Sequence, residues 1–370
     1  MSAIKKGSLA EVATVKTGVV DNKPLVAFNS IGLVGKASEG CGQTFDKINI
    51  DGVEKRWSLK EWAINKSICY KEIEDTILDF VRDSGISIED LTENDYMKDI
   101  LLPLIEKAMI EMMWRLAWFN DTAAATVSEG GVITDGTDLG YFTLNDGLFK
   151  RIFAIMAAKP AQHVAIEANA KDTITEQRKA LYTKGVATNI MDSMIAAKSP
   201  KLSGKNKVSF KMTEAFANAL AWDLKQCNSG DLVFTETREG VKIAKYSGYE
   251  VLVVPMWDYL IGQYENKGAT LNKPYRVILS SKEDLLVGTG SEDSLAQFKY
   301  GYDEKAGDNW FRAKDTIGTL TFEDDLIVAA YKTEGVKFPL SSKLFLTNKK
   351  SEQYERLCKI RFSWYRKKLC

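Results

Sequence analysis

The chain has 370 residues, 45% of them hydrophobic, with 50 Lys plus Arg against 50 Asp plus Glu, one His, five Cys and seven Pro. Such a composition excludes a disordered polymer, and the length suffices for two domains around real cores. A single histidine, His163, excludes two-His zinc sites and facial triads, and a net charge of zero excludes a uniformly basic coat for duplex nucleic acid.

Cys41, Cys69, Cys227, Cys358 and Cys370 are odd in number and hold no C-x-x-C pair, so neither a zinc knuckle nor a disulfide framework is expected, and a reducing compartment is the simplest setting. No apolar run follows Lys5 and Lys6, and no long uncharged apolar stretch occurs anywhere, so neither a signal peptide nor a membrane span is expected.

Residues 1–43 are rich in Gly, Ser, Val and Lys without helical period and read as an extended arm that lacks a packed partner within the chain. Residues 44–92 follow as an extended hairpin loop with a helical insertion. In F-D-K-I-N-I-D-G-V-E-K-R-W, Asp51-Gly52 falls between strand-like runs that include Phe45, Ile48 and Val53, and Asp-Gly is a strong two-residue turn signal. Ser58 and Glu61 form a capping box before apolar residues at helical spacing up to Val81, which predicts a helix or a broken pair.

Residues 93–170 open with a second start signal, Thr92 to Asp95, and a helical run of about 26 residues, roughly 39 Å long, kinked or restarted at Pro103. Met97, Leu101, Leu104, Ala108, Met112, Leu116 and Phe119 are the expected buried face, and Asp99, Lys107, Glu111 and Arg115 the polar one. A Gly-rich stretch and a short helix over 145–158 come next. Residues 171–315 start with a long helix over 171–198, with Ala187, Ile190, Met191, Met194 and Ile195 inward. A strand V-S-F-K-M and a helix capped by Thr213 follow, and then the pattern turns to strands at 233–236, 241–246, 249–254, 275–280 and 316–331.

No catalytic constellation emerges. Gly288-Thr-Gly290 lacks the third glycine of a dinucleotide loop and the G-K-S/T of a triphosphate loop, and reads as a turn. Asp135 to Gly140 fails the calcium-loop spacing at Thr137 and Leu139, and Glu323-Asp324-Asp325 reads as a charged turn. His163 has no G-x-S-x-G serine or cysteine signature to serve and reads as a packed or surface residue. Neither a cofactor nor a metal is expected.

The order of parts resembles the major capsid proteins of tailed double-stranded DNA bacteriophages, the Hong Kong 97 fold. M-I-E-M-M-W-R-L-A-W-F-N-D, then T-D-G-T-D and N-D-G-L-F, is similar to that family's spine helix and the turn after it. V-S-F-K-M-T-E-A-F-A-N-A-L-A-W-D-L-K resembles the opening of its axial domain, and G-V-K-I-A-K-Y-S-G-Y-E-V-L-V-V-P-M-W the hairpin that follows. D-N-W-F-R-A-K-D-T-I-G-T-L-T-F-E-D-D-L-I-V-A-A-Y resembles its late strands, so the likeness spans roughly residues 44–333. Residues 58–91 are longer and more helical than the family's loop.

The resemblance implies an α+β capsid fold with an N-terminal arm, extended hairpin loop, spine helix, peripheral domain, axial domain at 171–315 and return strands at 316–340. It implies a non-enzymatic virion protein that assembles with itself as hexamers and pentamers into an icosahedral head shell. Portal, scaffolding and capsid auxiliary proteins, and non-specific contact with packaged DNA, are the further partners it implies; no membrane is involved. An encapsulin-like cellular shell is the alternative within the fold, and a carboxylate-dependent intracellular enzyme the alternative outside it. The hairpin residues Phe45, Ile48, Asp51, Gly52 and Val53 are the expected inter-subunit contacts.

The zero net charge conceals a gradient. Residues 343–370 carry nine Lys or Arg against two Glu, a sum of +7, leaving −7 for the rest. In the extension at 341–370, Lys349, Lys350, Arg356, Lys359, Arg361, Arg366, Lys367 and Lys368 interleave with Tyr354, Phe362, Trp364 and Tyr365. It is expected to touch the genome side of a shell or an acidic neighbouring subunit, or else to be a solvated basic end.

Overall fold

The computed structural model describes residues 9–30, 51–69, 102–124, 133–227, 232, 234–238, 240–290, 299–303 and 308–332. The expected contacts Phe45 and Ile48, the start signal at Thr92 to Asp95 and the whole basic extension lie outside the described residues.

Leu9–Val12 forms a short helix (α1) and Thr14–Lys16 a strand (β1). Leu9, Val12 and Ala13 are buried, and β1 pairs in parallel with the strand at 285–289, Thr14 opposite Leu286. Over residues 9–16 the expected loose arm is therefore a packed piece of the body, because three apolar side chains within five residues reach the core.

Pro24–Ser30 (β2) and Asp51–Arg56 (β3) pair antiparallel as a two-stranded ribbon. Asp51 and Gly52 are not the centre of a turn; they open β3 opposite Ser30 and Phe28, where the register shifts by a bulge. Glycine in a strand marks such irregularities as readily as it marks turns, and residues 24–30 offered the competing partner.

Lys60–Cys69 is a ten-residue strand (β4), where the capping box predicted a helix. Trp62 is buried and Ile64 half-buried while Glu61, Ala63 and Asn65 are exposed, a period of two that the Ser58 and Glu61 spacing hid.

Leu102–Trp114 is helical (α2), with Pro103 in its first turn, where a missing N–H is tolerated, and Arg115–Phe119 widens into a π-helical turn. Ile105, Met109 and Met113 are buried, whereas Leu104 is 59% exposed and Ala108 also faces out. Over α2 the inward row is thus one residue later than expected, because large apolar residues fill two adjacent rows and periodicity does not choose between them, while Leu116 and Phe119 in the π-helical turn are buried as expected.

Leu148–Ala158 (α3) and His163–Ala165 (β5) come next. The long helix expected over 171–198 is two helices, Ile174–Leu181 (α4) and Val186–Ala197 (α5), parted at Gly185, whose φ of +83° is left-handed and costs little only for glycine. Ala187, Ile190, Met191 and Met194 are buried as expected. The remaining elements are Val208–Met212 (β6), Glu214–Gln226 (α6), Glu236–Arg238 (β7), Val241–Tyr246 (β8), Tyr249–Val253 (β9), Pro255–Tyr264 (α7), Val277–Ser281 (β10), Leu285–Thr289 (β11), Lys299–Asp303 (β12), Asp308–Thr321 (β13) and Val328–Tyr331 (β14). The strand expected over 316–331 is therefore β13 and β14 separated by a turn of 3-10 helix at Asp324–Leu326, and Gly288 lies in β11 rather than in a turn.

A seven-stranded mixed sheet runs β5-β14-β10-β6-β9-β8-β7, and its alternating side chains feed two cores. Phe210, Met212, Val251, Val253, Val277, Leu279, Val328 and Ala330 pack with residues of α5 and α6. Ile243, Leu252, Ile278, Ala329 and Tyr331 pack the opposite way, with residues of α2, α3 and α7. A second sheet is organised by β13, with β11 and β12 in succession along one side, β4 along the other and β1 beyond β11.

Candidate assembly surfaces

The ribbon has one apolar anchor. Trp57, directly after β3, is buried against Leu286 and Leu320, with Val19, Leu25, Leu59 and Phe322 around it. Gly288 makes the room: a Cβ there would lie 2.6 Å from a Trp57 ring carbon. Backbone bonds from Trp57 N to Lys23 O (3.2 Å) and from Asn22 N to Trp57 O (2.9 Å) fix both strands at this root, and Leu59 N donates to Asp21 Oδ1 at 2.8 Å. Lys55 Nζ adds bonds to Thr321 O (2.8 Å) and Asp324 Oδ1 (2.6 Å). Beyond this root the described ribbon is exposed at Val26, Gly52, Glu54 and Arg56. Of the sequence-predicted contacts, then, Asp51, Gly52 and Val53 do lie on a two-stranded ribbon, at the end of β3 farthest from the root.

A second open surface is the outer edge of β4. Ten of its residues pair with β13, from Cys69 opposite Asp308 to Lys60 opposite Ile317, and among the described residues no strand pairs with its other side. Unpaired strand edges are templates for another chain.

Three acids that sequence reading took for a simple charged turn each hold a lysine from a different part of the chain. Asp324 takes Lys55 of the ribbon, Asp325 takes Lys159 after α3, and Glu323 takes Lys205 before β6. Their chemistry is therefore mechanical: the node joins the ribbon to both sheets. No spacing signal announces it, because the partners are between 118 and 269 residues away.

The N-D-G-L-F motif lies where the π-helical turn ends. Asn145 Nδ2 donates to Leu116 O at 3.1 Å and its Oδ1 accepts from Asn120 at 3.0 Å, which satisfies polar groups inside the core. Gly147 N donates to Asn120 O at 2.7 Å, and a Cβ on Gly147 would come within 2.7 Å of the Trp118 carbonyl. Lys150 bridges Asp121 and Asp146. Trp118 packs on Trp257 at 4.6 Å and Phe149 at 5.0 Å, so this junction ties α2 to α3 and α7. Nearby, the buried Arg276 pairs with Glu265 and stacks on Phe149 at 4.5 Å.

Several buried groups have displaced pKa values. Asp258, in the first turn of α7, accepts from Glu214 N (2.6 Å) and Ala215 N (3.0 Å), so it caps α6 where Thr213 was expected to; burial still pushes it up to about 6. Asp284, in the three-residue link between β10 and β11, is likewise pushed up to about 6 by burial. Lys211, fully buried in β6, donates to Ser280 O (2.9 Å), Ser280 Oγ (3.1 Å) and Ser209 Oγ (3.2 Å), and is pulled down to about 7 by desolvation. His163 is half-buried, its Nε2 lies 3.2 Å from Tyr331 O, and burial lowers its pKa. A carbonyl partner makes that nitrogen a donor, which suits a strut between β5 and β14.

Neither a family model nor a curated protein matches the chain. Solved structures do. A chain of the satellite phage P4 procapsid that includes the size determination protein superposes with a TM-score of 0.51 at 10% identity, over 89% of this chain and 96% of that one. A chain from Gordonia phage Cozz superposes with a TM-score of 0.50 at 12% identity, over 90% and 87%. At such identities the likeness is one of architecture. The chain has the α+β fold of tailed-phage capsid proteins, the Hong Kong 97 type.

Proposed function

We propose that the chain is the major capsid protein of a tailed double-stranded DNA phage, a structural protein whose copies form hexamers and pentamers that close into the icosahedral head. The observation that carries this reading is the architectural likeness to a phage procapsid chain over 89% of the sequence. The ribbon and the open β4 edge support it physically, since backbone and apolar groups left uncovered on one copy are satisfied when another copy supplies the partner.

The role is mechanical rather than catalytic: the ordered body sets the shape of the capsomer, and edges and extensions set the contacts between copies. Scaffolding, portal and auxiliary proteins are the partners such a shell requires, and the basic extension with its eight named cations contacts packaged DNA or an acidic neighbour. The virion is then the site of action; among the described residues no helix is long and apolar enough to cross a membrane. Size-exclusion chromatography with negative-stain microscopy of the purified chain tests the reading. Shells, sheets or capsomer-sized rings are expected; a small soluble oligomer at every salt concentration, with and without a scaffold, would refute it.

A further inference from the structure

An open cleft lies where the ribbon meets the body, lined by Lys55, Arg56, Arg151, Ala154, Ile155, Leu320, Thr321 and Asp324. Three cations face one carboxylate there. Lys55 is engaged by Asp324 and Arg56 by Glu54 (2.7 Å), but Arg151 is held only through its Nε, which donates to Thr319 Oγ1 at 2.9 Å. Among the described residues its guanidinium forms no ion pair. Burial works against its charge, and Asp146 and Asp324 favour it only from a distance. A half-buried guanidinium held by one edge presents its remaining donors as a fork that matches a carboxylate or phosphate.

The surroundings favour a single carboxylate. With Lys55 paired to Asp324 and Arg56 to Glu54, one cation of the cleft, Arg151, is left over, which matches one carboxylate rather than a run of phosphates. The chain itself holds a rich source. Residues 71–99 carry ten Asp or Glu against three Lys or Arg, a sum of −7 that equals the whole deficit of residues 1–342.

That stretch leaves the body at Cys69, which pairs with Asp308, while the cleft lies at Thr321, the opposite end of β13. The separation is about 43 Å along the strand at 3.3 Å per residue. Cys69 is thus remote from the cleft of the same copy, and a seat there would hold the segment stretched back along the sheet, a cost in chain entropy that a seat on a neighbouring copy need not carry.

We infer that the Arg151 cleft is a seat for a carboxylate from residues 71–99 of a second copy, an inference that rests on the shell-forming reading and deepens it. The test mixes unlabelled and nitrogen-15-labelled full-length Arg151→Lys chain, which keeps the charge and offers an amine, and applies a zero-length carbodiimide coupler before peptide mass spectrometry. Links of mixed isotope between position 151 and an acid in 71–99 are expected. Links confined to one copy, or none while shells form, would overturn the inference and leave the shell reading standing. Absence of both shells and links overturns both readings. Competition by duplex DNA for the amine at position 151 without inter-copy links would make the cleft a phosphate site and also overturn it.

A second pair of variants guards against a merely structural effect. Arg151→Gln should raise the concentration needed for assembly roughly tenfold, equivalent to about 1.4 kcal/mol, whereas Thr319→Val, which removes the same Nε bond but keeps the charge, should leave it within about twofold. Equal losses from both variants would show that the guanidinium only supports the fold.

Discussion

In the seven-stranded sheet, every residue of β10 is buried, with Val277 and Leu279 against one helical layer and Ile278 against the other. In the second sheet, β13 buries Ala313, Asp315 and Ile317 but leaves Arg312 and Lys314 in solvent, and the ribbon rests on Trp57 and the bonds of Lys55 to Thr321 and Asp324. One region is sandwiched by its own chain on both faces and has little left to offer a partner. The other is assembled from residues at both ends of the chain; it is covered on both faces at β11, where every residue is buried, but is open on one face along the part of β13 that pairs with β4, and it keeps unpaired backbone at its margin. Assembly therefore acts on the open part of the second sheet: a partner adds little where a sheet is already covered twice, and much where it is covered once.

Core truncations should separate the regions most strongly. Phe210→Ala removes a fully buried ring from the helix-covered face and should cost about 3–5 kcal/mol in dispersed subunits, read by denaturant unfolding. Trp57→Ala removes as much apolar volume, but from a small satellite cluster. Its expected loss of about 3 kcal/mol should show as raised amide exchange in the ribbon and failed assembly, with the main unfolding transition nearly in place. If Trp57→Ala lowers the main transition as far as Phe210→Ala does, the two regions are not energetically distinct.

Gly288→Ala is a milder version, driving a methyl into the Trp57 ring for about 1–3 kcal/mol; the combined variant Gly288→Ala with Trp57→Phe should recover part of that loss in the same exchange assay.

The smallest effect is electrostatic and lies in the first region and its link to the second. Asp258 and Asp284 have folded pKa values near 6, above the ordinary carboxylate value, so the folded state binds more protons than the unfolded state between about pH 4 and 6. Their contribution is therefore full below pH 4 and lost as pH rises through 6. Asp284→Asn should flatten the fall in stability over that window by about 2 kcal/mol, measured by urea titrations at pH 4, 5 and 6. Lys211, held near 7, acts in the other direction, with stability rising from pH 7 towards 10.

How much was legible in the sequence follows the same division. β6, β8, β9 and the helices α5 and α6 were readable, because continuous apolar runs and inward rows such as Ala187, Ile190, Met191 and Met194 carry a local signal. β1 and β4 were not, because their identity depends on partners more than 200 residues away: β4 has a helix-like start and becomes a strand on β13. Asp51-Gly52 carried a real local irregularity, but the sequence alone does not distinguish a turn from a bulge opposite Phe28 and Ser30. Among the candidate contacts, ribbon residues could be proposed from such signals, whereas Lys55, Arg151 and the acids at 323–325 could not, since an ion-pair node leaves no period in the chain.

Hydrogen exchange compared between dispersed subunits and assembled particles separates surfaces covered within one copy from surfaces covered by another. The amides of β6, β9 and β10 should be equally protected in both, while the outward amides of β4 and those of the ribbon beyond Trp57 should exchange readily in the subunit and become protected in the particle. Protection of ribbon and β4 edge already in the dispersed subunit, unchanged on assembly, would show that neither surface is covered by a second copy.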